Sequence, residues 1–161
     1  MSGGVKRTGI TFLIVLGVLA FSLATAPFLL DAPRFLTGVA SSSHEVKTIY
    51  LEGKPIRVFI ADEPSEWERG LGGKKEFSEA QGMLFIFPED GSYGIWMKDM
   101  YLSIDILWIS AAGEVVYMEE GVSPDTYPNA FRNTDPARFV LELPAGMAAL
   151  YGLSQGSFVG F

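Results

Sequence analysis

The stretch IWMKDMYLSIDILWI (residues 95–109) contains two apolar, strand-like runs with charged residues in and between them. In the second run, IDILWI at 104–109, alternate residues are nearly all large and apolar. Because alternate residues of a strand share one face, both faces of this strand are apolar, which is typical of burial on both sides. The stretch therefore predicts a buried strand at 104–109, with Asp105 pointing into a core or towards its rim.

The rest of the body shows similar short runs rich in β-branched and aromatic residues, separated by turn residues. These patterns predict a hairpin first and then regularly spaced strands, which favours a mainly β sandwich or barrel. The predicted strands are 46–51, 56–60, 82–87, 92–98, 104–109, 114–119, 138–143 and 157–161, with turns at 88–91 and 111–113. Short helices are predicted within 62–73, where Gly72 would close the helix, and within 144–152. Residues 121–136 are predicted to be a long, functional or mobile loop.

The charge of the 161-residue chain is −7 overall but is unevenly distributed. Residues 1–44 carry three basic residues against one acidic residue, whereas residues 45–161 carry nine against eighteen. An acidic body without a basic cluster argues against nucleic acid as a partner, because phosphate binding needs a positive patch. The chain has no cysteine, which excludes disulfides, thiolate metal sites and cysteine nucleophiles.

The N-terminal region contains an uncharged apolar run at residues 9–30, directly after Lys6 and Arg7. A helix of this length rises about 33 Å, enough to cross a hydrocarbon core of about 30 Å. We expect an uncleaved transmembrane anchor with residues 1–8 in the cytoplasm, since basic residues precede the run. Residues 31–44 would be a linker and residues 45–161 an extracytoplasmic domain. Cleavage of a signal peptide near Ala26, giving a secreted protein, is the alternative.

Motifs of nucleophilic or metal catalysis are weak in this chain. GLSQG (152–156) matches the nucleophile elbow of serine hydrolases, but no histidine follows it. The single histidine, His44, lies in the predicted linker, and one histidine does not build the usual transition-metal sites. We therefore expect no metal and no cofactor.

Charged residues among the apolar strands have two interpretations. If 99–103 linked two strands as a hairpin, Lys98 would lie near Asp105, and Arg69 could similarly meet Glu142. Buried charges usually pair, so both pairs could be purely structural. Alternatively, the charges could form a ligand cleft beside Trp96.

Six motifs, taken together, resemble one family, the domain of unknown function 192 family. They are ERGL (68–71), GMLFIFPE (82–89), IWMKDM (95–100), SIDILWIS (103–110), GEVV (113–116) and ARFVLELPAG (137–146). The resemblance covers nearly all of residues 55–159. It implies a small, mainly β, jelly-roll-like sandwich with short helices, and secreted or membrane-anchored relatives in bacteria and archaea. It implies no activity, because the family is uncharacterised.

This sequence departs from the family pattern at three places. Many relatives have methionine where this chain has Gly72, proline-leucine-aspartate at 103–105, and cysteines in the loop that here reads Ser-Pro-Asp at 123–125. Any thiol role of that loop is therefore absent. The residues that match family motif positions, and that we take as candidate ligand-binding residues, are Arg69, Trp96, Met97, Lys98, Asp105 and Glu142.

These observations favour a membrane-tethered binding domain for a small ligand or an envelope component. Lys98 would meet an anion, Trp96 would stack on a ring, and Asp105 would orient Lys98, with loop 121–136 as a mobile rim. One alternative is an enzyme that uses Lys98 with Asp105 or Glu142 as acid and base. Another is an envelope assembly factor that binds protein through a sheet edge.

Overall fold

The structure is a computed structural model that describes residues 44–161. The predicted anchor at 9–30, the residues before it and nearly all of the predicted linker lie outside the described residues. Within residues 44–161, no helix is both long and apolar enough to cross a membrane. His44, which we placed in the linker, is buried, packs against Phe59 and has Nδ1 3.3 Å from Glu66 Oε1.

The described residues form a mainly β structure with two short helices. The strands are β1 (Val46–Leu51), β2 (Lys54–Ala61), β3 (Met83–Gly91), β4 (Gly94–Trp96), β5 (Ile104–Ile109), β6 (Val115–Val122), β7 (Ala130–Arg132), β8 (Ala137–Pro144) and β9 (Val159–Gly160). The helices are α1 (Pro64–Arg69) and α2 (Met147–Tyr151), and a 3-10 turn spans Pro124–Thr126. Seven strands form one sheet in the order β6-β5-β8-β3-β2-β1-β9, and β4 pairs with β7 in a separate ribbon.

The seven-stranded sheet is curled, so that the start of β6 approaches the strand at the opposite edge. Val115 N–H donates to the Ser157 carbonyl at 2.9 Å, and Val159 N–H donates to the Gly113 carbonyl at 2.8 Å. The predictions of a mainly β fold and of short helices are confirmed. Of the two predicted alternatives, a sandwich or a barrel, the single curled sheet corresponds to a half-barrel.

Strand β5 is buried along its whole length, as its sequence predicts. One face, including Ile106 and Trp108, belongs to an outer cluster that also contains Leu71, Phe85 and Val140. The other face, with Leu107 and Ile109, belongs to an inner cluster that includes core residues of both edge strands, β6 and β9. The curl of the sheet thus encloses the inner cluster, while α1 and the ribbon cover the outer one.

Helix α1 is shorter than its predicted range because a glycine ends it early. Pro64 is the first residue of the helix. Gly70 follows its last residue with a φ of 49°, a backbone conformation that favours glycine, and the Gly70 N–H donates to the Glu66 carbonyl. Gly72 therefore lies beyond the helix end that we assigned to it. Trp67 and Leu71 both contribute to the outer cluster, and Trp67 Nε1 donates to the Ala61 carbonyl at 3.0 Å.

Two predicted loops carry regular structure instead. The predicted turn at 88–91 is the second half of β3, where an irregular pairing between Ile86 and Gly91 accommodates Pro88. The predicted loop 121–136 contains the 3-10 turn and β7. Because β4 pairs with β7, the predicted hairpin between β4 and β5 does not form.

Candidate functional site

The candidate site lies where α1 and the segment after it face the end of β4. The Gly73 N–H donates to the Asp99 carbonyl at 2.9 Å and ties the two segments together. Between them runs an open groove of about 470 Å³, which we call the outer groove. It is lined by Ser65, Glu68, Arg69, Gly72, Gly73, Lys98 and Asp99.

A second, narrower cavity of about 40 Å³ adjoins the outer groove, and we call it the inner pocket. Glu68, Arg69 and Lys98 line both cavities, so the charged rim of the groove is also the rim of the pocket. The remaining wall is mostly aromatic and apolar and includes Trp67, Leu71, Phe85, Ile95, Trp96 and Met100, with Glu142 as its carboxyl group.

Glu142 is the acidic residue of the inner pocket. Its neighbours across the sheet, Met83 and Ile106, belong to the outer cluster, so its side chain points to the same face. Glu142 is only 4% exposed, and its Oε2 has no hydrogen-bond partner among residues 44–161. Burial raises the pKa of Glu142 from an ordinary 4.5 to about 8, because the apolar surroundings disfavour the charged form. The carboxyl is therefore mostly neutral at pH 7.

Lys98 and Trp96 share one face, as predicted, and both are exposed. Lys98 Nζ lies 5.5 Å from the centre of the Trp96 ring, within the range of a cation–π contact. Arg69, the last residue of α1, is also exposed. The site thus presents two exposed cations on its rim and one buried acid beneath them.

The two structural ion pairs that the sequence allowed do not form. Within residues 44–161 the ion pairs are Lys47–Glu45 and Arg138–Asp90, and His44 Nδ1 lies 3.3 Å from Glu66 Oε1. Lys98, Arg69 and Glu142 take part in none of these contacts. Lys98 is too exposed to need a partner. Glu142 instead stays neutral, which lowers the cost of burying it.

Asp105 lies on the opposite face of the sheet from the site. Its neighbour across the strands is Leu143 of the inner cluster. Asp105 is fully buried, and its two oxygens accept hydrogen bonds from the Gly121 N–H at 2.8 Å and the Ala148 N–H at 2.9 Å. Asp105 therefore does not orient Lys98, and that prediction is wrong. The two hydrogen bonds of Asp105 instead hold α2 and the end of β6 against β5.

Met97 also lies apart from the cavities, because its side chain is buried in the outer cluster. The structure thus brings together Arg69, Trp96, Lys98 and Glu142 of the six predicted residues. Sequence reasoning missed Glu68 and Asp99 in the groove, and Tyr127, whose ring centre lies 6.0 Å from that of Trp96. Asp99 has a φ of 57°, so its position comes from a tight turn that no sequence period reveals.

No cluster of three or more histidine, cysteine or acidic side chains that could hold a metal ion occurs in the part of the chain that the structure describes. The chemistry of the site is thus that of one neutral carboxyl, two cations, two exposed carboxylates and an aromatic face.

Comparison with known proteins identifies the family. The model of DUF192, described as an uncharacterised ACR, matches residues 47–161. The chain belongs to the DUF192 family. No curated protein matches it.

Two solved structures share the DUF192 fold of this chain. One is the crystal structure of a protein from Sinorhizobium meliloti that is provisionally described as a transcription regulator. Its sequence is 30% identical to this chain, and the two structures match with a TM-score of 0.68 over 73% of this chain and 94% of the other. A protein of unknown function from Novosphingobium aromaticivorans is 21% identical, with a TM-score of 0.68, covering 75% of this chain and 89% of the other. The second likeness shows the fold alone.

Proposed function

We propose that the DUF192 domain of this chain is a binding module for a small polar ligand, which occupies the outer groove and extends one group into the inner pocket. The observation that carries the proposal is the buried Oε2 of Glu142, which has no hydrogen-bond partner among residues 44–161 and lies beneath a charged rim. A buried polar atom without a partner costs free energy, so its presence in a cavity favours a ligand that completes it.

The rim supplies the other contacts that a small ligand needs. Arg69 and Lys98 offer donors to an anionic group, and Trp96 offers a ring face for stacking. Ligand sites are commonly apolar cavities with a few convergent polar groups, which is the composition found here. The volume of the outer groove, about 470 Å³, is that of a metabolite-sized site.

The test is a thermal-shift and fluorescence screen of the full-length chain. The probes are L-amino acids, D-glucuronate, succinate and inorganic phosphate, each titrated to saturation. We expect at least one probe to raise the melting temperature, and Arg69→Gln and Lys98→Met to remove the effect. The matched exposed variants Arg57→Gln and Lys47→Met should retain it. A response that survives in both groove variants would place binding elsewhere and refute the proposal.

A second candidate is an enzyme in which Glu142 acts as a general acid. A carboxyl that stays protonated at neutral pH beside Lys98 is the arrangement that acid–base chemistry uses. Turnover of a bound probe that is lost in both Glu142→Gln and Lys98→Met would favour the enzyme over the binding module.

We further propose that residues 9–30 tether this module to a membrane, with residues 44–161 outside the cytoplasm. The support is the uncharged apolar run and the basic pair that precedes it. The module would then sample ligands in the envelope space. The third hypothesis, an assembly factor that binds through a sheet edge, receives less support, since the start of β6 is bonded to residues beside β9.

A further inference from the structure

We propose that the inner pocket takes the ammonium group of a compact zwitterion, such as a free α-amino acid, whose carboxylate lies on Arg69 and Lys98, and that this ligand displaces the proton of Glu142. The inference rests on the proposed ligand-binding function and adds the chemical class of the ligand and its linkage to protons.

The size of the inner pocket and the carboxyl group that lines it favour a compact ligand group that is rich in hydrogen-bond donors. No hydrogen-bond partner among residues 44–161 reaches Glu142 Oε2. Once the carboxyl is ionised this oxygen only accepts, so a ligand that supplies a donor completes it. The pocket volume of about 40 Å³ is close to the roughly 30 Å³ that one water molecule occupies in the liquid. An ammonium group fits that volume and carries three donors, whereas a hydroxyl group carries one.

The charged residues of the rim disfavour ligands that carry charge of only one sign. Arg69 and Lys98 would repel a simple cation on its way to Glu142. Glu68 and Asp99, which face the same groove, would repel a simple anion. A zwitterion carries both charges at short separation, and it can place each of them against its complement. The balance of two cations and two carboxylates therefore favours a ligand without net charge.

Entry of the ammonium group changes the protonation of Glu142. The neutral acid releases its proton to solvent, and the resulting carboxylate accepts hydrogen bonds from the ligand ammonium, with no covalent bond made to carbon. Charged groups face this carboxyl from α1 and from the segment after β4, namely Glu68, Arg69 and Lys98. The elements β3 and β4 face it with uncharged residues, namely Phe85, Gly94, Ile95 and Trp96. Because burial holds the pKa of Glu142 near 8, nearly one proton per ligand should leave at pH 7.

The experiment is isothermal titration of the full-length chain with L-phenylalanine at pH 7. Running it in PIPES and in MOPS, two bulky buffers whose ionisation enthalpies differ and which are not among the probes, counts the protons released. We expect saturable binding with nearly one proton released. N-acetyl-L-phenylalanine lacks the ammonium group and phenethylamine lacks the carboxylate, so each should bind at least about tenfold more weakly, the loss expected for one charged hydrogen bond.

The isosteric variant Glu142→Gln cannot release a proton, so proton release should fall to zero and affinity for L-phenylalanine should drop at least about tenfold. Glu120→Gln, an exposed change on β6, should alter neither value. Equal binding of N-acetyl-L-phenylalanine, or unchanged proton release in Glu142→Gln, would overturn the inference. Binding of D-glucuronate alone, dependent on Arg69, would overturn it and leave the proposed function standing. If no probe binds at Arg69 and Lys98, both fail, and the inner pocket holds water only.

Discussion

At the scale of single residues, Glu142 makes stability depend on pH. Below about pH 4.5 its carboxyl is neutral in both the folded and the unfolded chain, so burial carries no charge penalty. Between that pH and about 8 the unfolded chain loses the proton while the folded chain keeps it, so stability falls as pH rises. Above about pH 8 the loss is complete.

The variant Glu142→Gln should therefore be stabilised relative to the natural chain as pH rises. Urea unfolding of both proteins between pH 4 and pH 9 measures the difference, in which the other titrating groups cancel. We expect the difference in unfolding free energy to change by roughly 3–5 kcal/mol in favour of the variant, since one pKa unit corresponds to about 1.4 kcal/mol. Parallel pH profiles for the two proteins would mean that Glu142 is solvated or paired.

Removing the charge of Asp105 should change the stability of the domain much more than removing the charge of Lys98. Asp105→Asn places an amide donor against one of two backbone N–H groups, and we expect it to destabilise the domain by about 2–3 kcal/mol. Lys98→Met removes an exposed, unpaired cation and should change stability by no more than about 0.5 kcal/mol. Urea unfolding of the two variants measures both changes in unfolding free energy. A large loss in Lys98→Met would restore a structural role for that lysine.

The burial of Asp105 could be predicted from the alternation of its strand, but its partners could not. They are the N–H groups of Gly121 and Ala148, which are 16 and 43 residues away along the chain. Backbone donors carry no sequence signal, whereas a nearby lysine does, so sequence reasoning assigned the wrong partner. Glu142 was identified by its motif position, yet its lack of a partner follows only from the packing of α1 and β4 over β8.

At the scale of elements, the contact of β3 with β8 depends on a glycine. A Cβ at Gly82 would overlap the backbone oxygen of Glu142 and lie 2.9 Å from Leu143 Cδ2. The Gly82→Ala variant should therefore push β3 away from β8 and cost about 2–3 kcal/mol of unfolding free energy. Gly160→Ala in β9 is the matched control, because its nearest atom would lie 3.5 Å away. Urea unfolding should show a change within about 0.5 kcal/mol for the control. Equal losses in both variants would contradict the close packing at Gly82.

All the strands except β7 could be predicted from sequence, although the bounds of several differ. Strands β1 and β5 begin and end where their apolar patterns do. By contrast β7 has three residues, too few for a period to show, and lies in a predicted loop. Its pairing with β4, which lies within the strand predicted at 92–98, creates the ribbon that carries Trp96. The wall of the candidate site therefore depends on a pairing that local patterns do not encode.

At the scale of the whole molecule, the apolar residues on both faces of β5 predict a strand that is buried on both sides, which two packed sheets would provide. The same pattern arises when one sheet curls around an inner cluster and short elements cover its outer face. Alternation reports how many faces are buried and not what buries them, so a sandwich and a curled sheet give the same sequence signal. The curl becomes visible only through hydrogen bonds such as that from Val115 N–H to the Ser157 carbonyl.

The proposed tether predicts where the chain is located in the cell. In a bacterial host, the full-length chain should sediment with membranes and resist a carbonate wash, whereas a variant without residues 9–30 should stay in the supernatant, because only an embedded apolar helix survives that wash. Protease added outside the cytoplasmic membrane should degrade residues 44–161. Intact mass measurement adds the control, since cleavage near Ala26 would remove the apolar run and release the domain. A full-length chain that washes off with Met1 intact would refute the anchor, and protection from external protease would reverse its orientation.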